Sequence, residues 1–486
     1  MLCLHIPSLL PPPFAEFSVP ASTQTAALLG LGVLYQATGH RLMTELLLTE
    51  IARSPSSAQF VSSTTNSGLS TASFDQLEGY ALAAGLALGL VVLGRGQSKS
   101  GDPGLADMKL EEKLYKYIVG GAQQFGDASA PGGCLYRGRK WDTFGQSGTL
   151  AFMYMQTENK SIAAQLRVPD TLILLDNVRP DILMVRTLAK NLVLWDSVTP
   201  SVEWIENVEV PVQLNNAYKA LQAASTVDKD VEESPTNADA QSVCEAYANI
   251  VAGACFSIGL RFASTSDAQA RKTLQKYILH FRDMRSKAAS MRVGSNNTII
   301  AATERVTIER CLAACAQALA LVDAGSGNVK TLTLLRSINL RQRVDSELTY
   351  GNHMALSMAI GLLFIGGGRA TVSRSKEAIA SLVISLFPMF PMDTADNKYH
   401  LQAFRHLYVL AVDTSRLLET IDVNSGSSCS VQLRGQVNRS HTETTQSWLT
   451  LQSPCLLPDL SSIKRIIVSG EQFYPVEIVM SAKKPK

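Results

Sequence analysis

The feature that most constrains the fold is a helix with no polar face. Residues 352–368, NHMALSMAIGLLFIGGG, are apolar at almost every position. Asn352 can accept backbone N–H bonds as a cap, and Gly366, Gly367 and Gly368 supply a left-handed ending. A helix apolar all round either spans a membrane or lies between neighbours. This one is too short to cross a bilayer, which takes about 20 apolar residues. Gly361 sits in its middle, where glycine costs roughly 1 kcal/mol against alanine. Close approach of another backbone would account for it. The stretch predicts a buried helix in a stack of helices.

The pattern recurs. Gly361 aligns with Gly32 in ALLGLGVLYQATG, Gly89 in AAGLALGLVVLGRG and Gly259 in AGACFSIGLRFAS, and Ala320 takes the same place in CAQALALVDAGSGN. These four glycines are expected to be packing glycines, and Gly94, Gly325 and Gly366 to end their helices. A second, more amphipathic helix is expected at 41–53, 110–119, 268–284, 329–340 and 376–386. Helix pairs that cannot bury their own apolar faces stack into an α-solenoid or toroid. Anchor spacing runs from 41 residues (320 to 361) to 170 (89 to 259), so loops and a divergent unit intervene.

A solenoid can run through all 486 residues as one array, and 46% hydrophobic residues supply its core. A net charge of +2 gives no reason to expect nucleic acid as a partner. The cysteines, Cys244, Cys255, Cys311 and Cys315 among them, lie mostly on apolar helices without metal-ligand spacing, which predicts reduced, buried thiols. The apolar run 81–93 with Gly85 and Gly89 is too short to span a membrane.

Taken in order, residues 1–20, with five prolines, are expected to form an extended lead-in without a helix. The first repeat follows at once, with no polar capping unit, which predicts that the chain is a partial one. The array is expected over 21–412, with loops at about 54–75, 120–147 and 200–240. Arg137, Arg139, Lys140 and Trp141 cluster in the second loop, a pattern more common in solvated loops than in partner sites. Residues 148–195 return to helix, and 396–412 are expected to form a last amphipathic helix carrying His400 and His406. Residues 413–486 change character: 431–433, 465–468 and 476–480 favour β structure, so a small β-containing segment is expected there.

The chain carries no P-loop, GxSxG, HExxH or dinucleotide fingerprint in a strand-to-helix setting. Glu309 and Asp323 are single acids without an evident partner in sequence. No catalytic, cofactor-binding or metal-binding residues are expected.

AALLGLGVLYQATGHR, YALAAGLALGLVVLGRG, GACFSIGLRFA and MAIGLLFIGGGR resemble proteasome/cyclosome repeats, glycine- and alanine-rich hairpins shared by two large proteasome regulatory subunits and the largest subunit of the anaphase-promoting complex. SLLPPPFAEFSVP, RVPDTLILLDNVRPDILMVRTLAKNLVLWD and DNKYHLQAFRHLYVLAVD resemble the anaphase-promoting complex subunit 1 family. The likeness covers nearly the whole chain. It departs at 54–75, 126–140 and 220–240 and loosens beyond Asp413.

The resemblance implies a closed or nearly closed ring of repeats. It implies a non-catalytic scaffold, without cofactor, in the nuclear and cytoplasmic ubiquitin ligase that marks cyclins and securin. Its implied partners are the cullin-like and RING module, the doc-domain co-receptor and the tetratricopeptide-repeat subunits. A proteasome scaffold with the same repeats is the alternative, against which 167–196 and 396–413 argue. An α-helical enzyme is a more distant one.

Overall fold

A computed structural model describes residues 2–9, 19–51, 71–97, 105–119, 142–176, 178–224, 237–290, 298–340, 348–438, 446–468 and 472–480. The cluster of Arg137, Arg139, Lys140 and Trp141 lies outside the described residues.

The chain is mainly helical. It begins with two short 3-10 turns, Leu2–His5 and Pro7–Leu9, where the sequence predicts extended chain. Ile6 between them is fully buried. Helix α1 (Ala21–Leu34) is followed by α2 (Arg41–Ile51), and both pack on α3 (Thr71–Val91), which precedes α4 (Leu110–Val119). Helix α5 (Asp142–Met153) is followed by α6 (Lys160–Gln165), α7 (Leu172–Asp176) and α8 (Pro180–Val193). Pro180 opens α8 at a position whose N–H has no helical partner anyway.

Three expected loops contain helix. Residues 71–75 belong to α3 and 142–147 to α5. Within 200–240 lie α9 (Val202–Trp204), a wider π turn (Ile205–Glu209) and α10 (Val212–Ala224). Polar composition misleads there because Trp204, Ile205, Val210 and Leu214 are buried at wide intervals.

The longer hairpins follow: α11 (Asn237–Arg261) with α12 (Ala268–Ser290), then α13 (Thr298–Ala302), α14 (Arg305–Val322) with α15 (Val329–Asn339), and α16 (Tyr350–Leu363). The cap of α16 is Thr349, whose side chain accepts from the Asn352 N–H, so Asn352 lies inside the helix it was expected to cap.

The apolar helices α1, α3, α5, α8, α11, α14 and α16 form one row, each packed on the next. Their side chains contribute to a single continuous core that runs from Ile6 to Ala411. Residues 240–261 of α11 are long and apolar enough to cross a membrane, and within the row 243–260 are all buried.

Helix α17 (Lys376–Ser385) departs from its expected role as an outer helix. Every residue from 378 to 385 is buried, and the helix also meets α3, far away in sequence. Residues 402–411, expected as α-helix, form a 3-10 helix packed along α17. Its tighter turn stacks residues three apart, and Phe404 and Arg405 face inward. The Arg405 guanidinium donates to the carbonyls of Ser385 (3.1 Å), Phe387 (2.6 Å) and Met389 (2.5 Å), closing the end of α17.

Two-residue strands β1 (Thr371–Val372) and β2 (Val412–Asp413) pair antiparallel and bracket α17. Beyond them lie short ladders, β3 (Leu417–Leu418) with β8 (Cys455–Leu456) and β4 (Thr420–Ile421) with β5 (Ser428–Cys429). Strands β6 (Gln432–Asn438), β7 (Gln446–Gln452), β9 (Ile463–Val468) and β10 (Glu477–Val479) form an antiparallel sheet in the order β10-β9-β6-β7. Leu433, Ile463 and Ile466 make its small core with Leu457. β7 was not expected, because its Gln, Ser and Thr residues hide the alternation.

Candidate functional site

The row is built on positions where a side chain does not fit. A Cβ placed on Gly32 would lie 2.6 Å from the Ala87 Cα, and one on Gly259 2.5 Å from the Ala318 Cα. At Gly89 it would meet the Phe152 ring at 2.8 Å and the Thr149 Cα at 3.1 Å. Gly85, noted in sequence beside Gly89, does the same against Gly145, and Gly253, not singled out there, does so against the Met184 carbonyl. Gly361 departs from the expectation: nothing lies within 4 Å of its Cβ position, and it is exposed. The cause is its place in the last helix of the row, on a side where no further helix is stacked among the described residues.

A second repeating element joins the helices at their ends. After α1, the N–H groups of Ala37 and Gly39 donate to the carbonyls of Leu90 and Val91 on α3, both at 2.9 Å. After α5, Gln156 and Glu158 donate to Leu192 (2.9 Å) and Val193 (3.0 Å) on α8. Ser264 and Ser266 reach Leu321 (2.8 Å) and Val322 (2.9 Å), and Gly325 and Gly327 reach Leu362 (3.1 Å) and Leu363 (3.0 Å). Gly94 makes a single bond of this kind, to Phe152 at 3.0 Å. Each turn thus satisfies carbonyls left open at the C-terminus of the next helix.

The geometry needs left-handed backbone at alternate residues: φ is 58° and 55° at Gln156 and Glu158, 59° and 52° at Ser264 and Ser266, and 74° and 60° at Gly325 and Gly327. Between them a hydroxyl (Thr38, Thr157, Thr265 or Ser326) donates to the carbonyl three residues back, each at 2.7 Å. The following residue caps the outer helix: Asn159 for α6, Asp267 for α12 and Asn328 for α15. The signal is present in sequence as ATGH, QTEN, STSD and GSGN, of which the small residues are legible as turn formers but the central hydroxyl and the capping residue are not. Gly366 (φ 62°) carries the left-handed turn after α16.

The acids without an evident partner have one. Asp323, fully buried, binds the Arg271 guanidinium at 2.6 Å and the Thr331 hydroxyl at 2.6 Å. Glu309 pairs with Arg285 at 3.0 Å, both buried. Cys311 and Cys315 are buried, and burial pushes both thiols well up. His400 is buried and bonded to the Ile384 carbonyl at 2.9 Å, and His406 is exposed. Among the described residues, no group of three His, Cys, Asp or Glu side chains could hold a metal ion.

The turn ends face a cavity of about 470 Å³ lined by Gln156, Trp195, Arg261, Arg374, Arg416 and Asp459 among others. It lies where the row, the start of α17 and the β segment meet. Arg416 fastens the β segment there: its Nη1 and Nη2 donate to the hydroxyl (2.6 Å) and carbonyl (2.9 Å) of Ser264, and its Nε to Leu457 (2.9 Å). Arg374 pairs with Asp459.

Stacked helices locked through glycines and turn amides define a helical-repeat protein. Residues 1–413 match the family described as APC1 fifth domain, and residues 416–485 the one described as APC1 beta sandwich domain. The chain belongs to the APC1 family. It is similar to the anaphase-promoting complex subunit 1 of Homo sapiens, with 37% identity over 495 residues, 99% of this chain and 23% of that protein. The subunit 1 of Arabidopsis thaliana is 35% identical over 491 residues, 98% of this chain and 27% of that protein. The negative regulator of mitosis of Emericella nidulans is 34% identical over 477 residues, 98% and 20%. The chain therefore spans between a fifth and about a quarter of the length of these relatives.

Proposed function

We infer that the chain is a non-catalytic scaffold portion of an anaphase-promoting complex. The observation that carries this is the match to the APC1 fifth domain over 1–413, a region folded as one glycine-locked row. The buried acids, thiols and histidine of that row are engaged in packing and pairing rather than gathered around a reacting group. Its role is to hold other subunits of a ubiquitin ligase that acts on cyclins and securin, in nucleus and cytoplasm. The cullin-like and RING module, the doc-domain co-receptor and the tetratricopeptide-repeat subunits are its proposed neighbours. No cofactor or nucleic acid is needed. In this reading 1–20 lead in, 21–412 form the repeat array and 413–486 the β-containing segment. Glycines 32, 89 and 259 set the spacing of the array, and glycines 94, 325 and 366 turn the chain out of it.

The outer helices offer the contact surface, since the apolar row is consumed by stacking. On α12, Lys272 is exposed and Arg282 is half-buried, bonded to its neighbour Asp283 (2.9 Å). Reversal of both charges, Lys272→Glu with Arg282→Glu, is expected to reduce recovery of other ligase subunits with the tagged full-length protein by several-fold. The intrinsic activity of the isolated cullin–RING pair should not change. Thioester formation between the purified chain and ubiquitin would overturn the scaffold reading.

A further inference from the structure

Strand β7 is one edge of the four-stranded sheet, and among the described residues no strand pairs with its outer side. The phase of its ladder to β6 is fixed. The Ser453 N–H donates to the Val431 carbonyl at 2.9 Å, and these two residues stand opposite each other where the β6–β7 register continues. Alternation from there turns the backbone groups of Leu451 and Leu449 toward β6. Those of Gln452, Thr450 and Trp448 point away from the sheet.

Sheet edges in native proteins are commonly blunted by charge, proline, a bulge or short length. β7, QSWLTLQ, has none of these: its seven residues are uncharged, and it pairs with β6 without a register shift. The opposite edge, β10, is three residues long and carries Glu477. Such an open edge is a ready template for a further strand.

The two faces beside this edge differ. Trp448 and Thr450 share one face with Gln436 and Arg434, which stand opposite them on β6. Trp448 is 49% exposed yet held in place: the Arg465 guanidinium lies over its ring at 5.3 Å, and the Arg465 Nε donates to the buried Gln436 at 2.7 Å. Arg465 is engaged by Glu477 at 3.0 Å, whereas Arg434 is exposed and has no ion pair among the described residues. On the other face Leu449 is 37% exposed opposite Gly435, and Leu451 is partly covered by the small core. We propose that an extended segment of another subunit adds to β7 as a fifth strand. It places apolar side chains beside Leu449 and Leu451 and an acidic one beside Thr450, within reach of Arg434. Main-chain bonds to Trp448, Thr450 and Gln452 hold it, and alternate side chains give it specificity. A held, exposed tryptophan beside arginine is the composition of an interface anchor. A second copy of β7 has no acid and leaves Arg434 without a counter-charge, which favours an acidic partner. This inference rests on the scaffold reading, which supplies the other subunit.

The test uses the ligase purified through the tagged full-length protein. Thr450→Pro deletes an outward N–H that the ladder to β6 does not use, and Thr450→Val keeps it. Thr450→Pro is expected to lower the retention of one subunit at least tenfold and to leave the others bound, while Thr450→Val retains all. Arg434→Glu should lower the same subunit several-fold, and Arg434→Gln less. Where Thr450→Pro fails to fold, Thr450→p-benzoylphenylalanine decides: irradiation of the assembled ligase should couple it to an acidic segment of another subunit. Unchanged retention with a folded Thr450→Pro, or coupling only to a second copy or to the same polypeptide, would overturn the added strand. Absence of every other ligase subunit from the unmutated preparation would instead overturn the scaffold reading, and the added strand with it.

Discussion

Gly259 and Gly361 look alike in sequence, each near the end of an apolar helix, yet their surroundings are opposite. A methyl on Gly259 would enter the backbone of α14, where an opposing Cα stands 2.5 Å away. Gly259→Ala is expected to destabilise by about 1–3 kcal/mol, the range for overpacking. Gly361 has open space, so Gly361→Ala should stabilise by up to about 1 kcal/mol through helix propensity alone. Urea melts of the two variants read the difference directly, and equal destabilisation would contradict the exposed position of Gly361.

His400 carries a different signal at the same scale. Burial, aided by the adjacent Arg405, holds its pKa well below the usual value, so the folded protein keeps it neutral. The unfolded chain takes up a proton near pH 6.5, whereas the fold does so only at much lower pH. Stability is thus fully present above about pH 6.5 and falls on acidification, by at most about 1.4 kcal/mol per pH unit from this group. His280, whose pKa burial also lowers, adds to the same trend. Comparing pH 5 with pH 7.5, His400→Gln should show a shallower loss than the wild type. Parallel curves would mean that His400 is protonated in the fold.

At the scale of elements, the turns between inner and outer helices are the most demanding part of the chain. Ser266 has φ 52° and its N–H is bonded to Val322 at 2.9 Å. A β-branched residue is strained there, so Ser266→Val should cost more than about 1 kcal/mol, and Ser266→Gly should be nearly neutral. Thermal unfolding of the pair distinguishes this from a simple intolerance of change.

These turns also show how much was legible in advance. The starts of α2, α4, α12, α15 and α17 fall where the sequence places them, because amphipathic spacing and polar caps are local signals. The interior position of α17, the 3-10 form of 402–411 and the strand at 446–452 did not follow, since all three are set by distant partners. The cavity is less legible still, because Arg261, Arg374 and Arg416 are brought together only by tertiary folding.

For the whole molecule, Arg416 is the junction between the helical row and the β segment. Arg416→Leu would strip bonds from the Ser264 hydroxyl and carbonyl and from the Leu457 carbonyl, each a loss of about 1–3 kcal/mol if left buried and unmet. The row has its own continuous core and should survive. Limited proteolysis should then cut the variant within 414–468 several times faster than the wild type while leaving a stable fragment of about residues 20–412. Simultaneous loss of both parts would mean that the β segment is integral to the row.

The amides donated forward from each turn have one more consequence. A hydrogen bond from the first and third residues of a turn to two successive carbonyls leaves no slack: one residue more or fewer would misalign both. Relatives of different length should therefore keep the residue count of the four doubly bonded turns, at 37–39, 156–158, 264–266 and 325–327, each a fixed gauge between neighbouring helices.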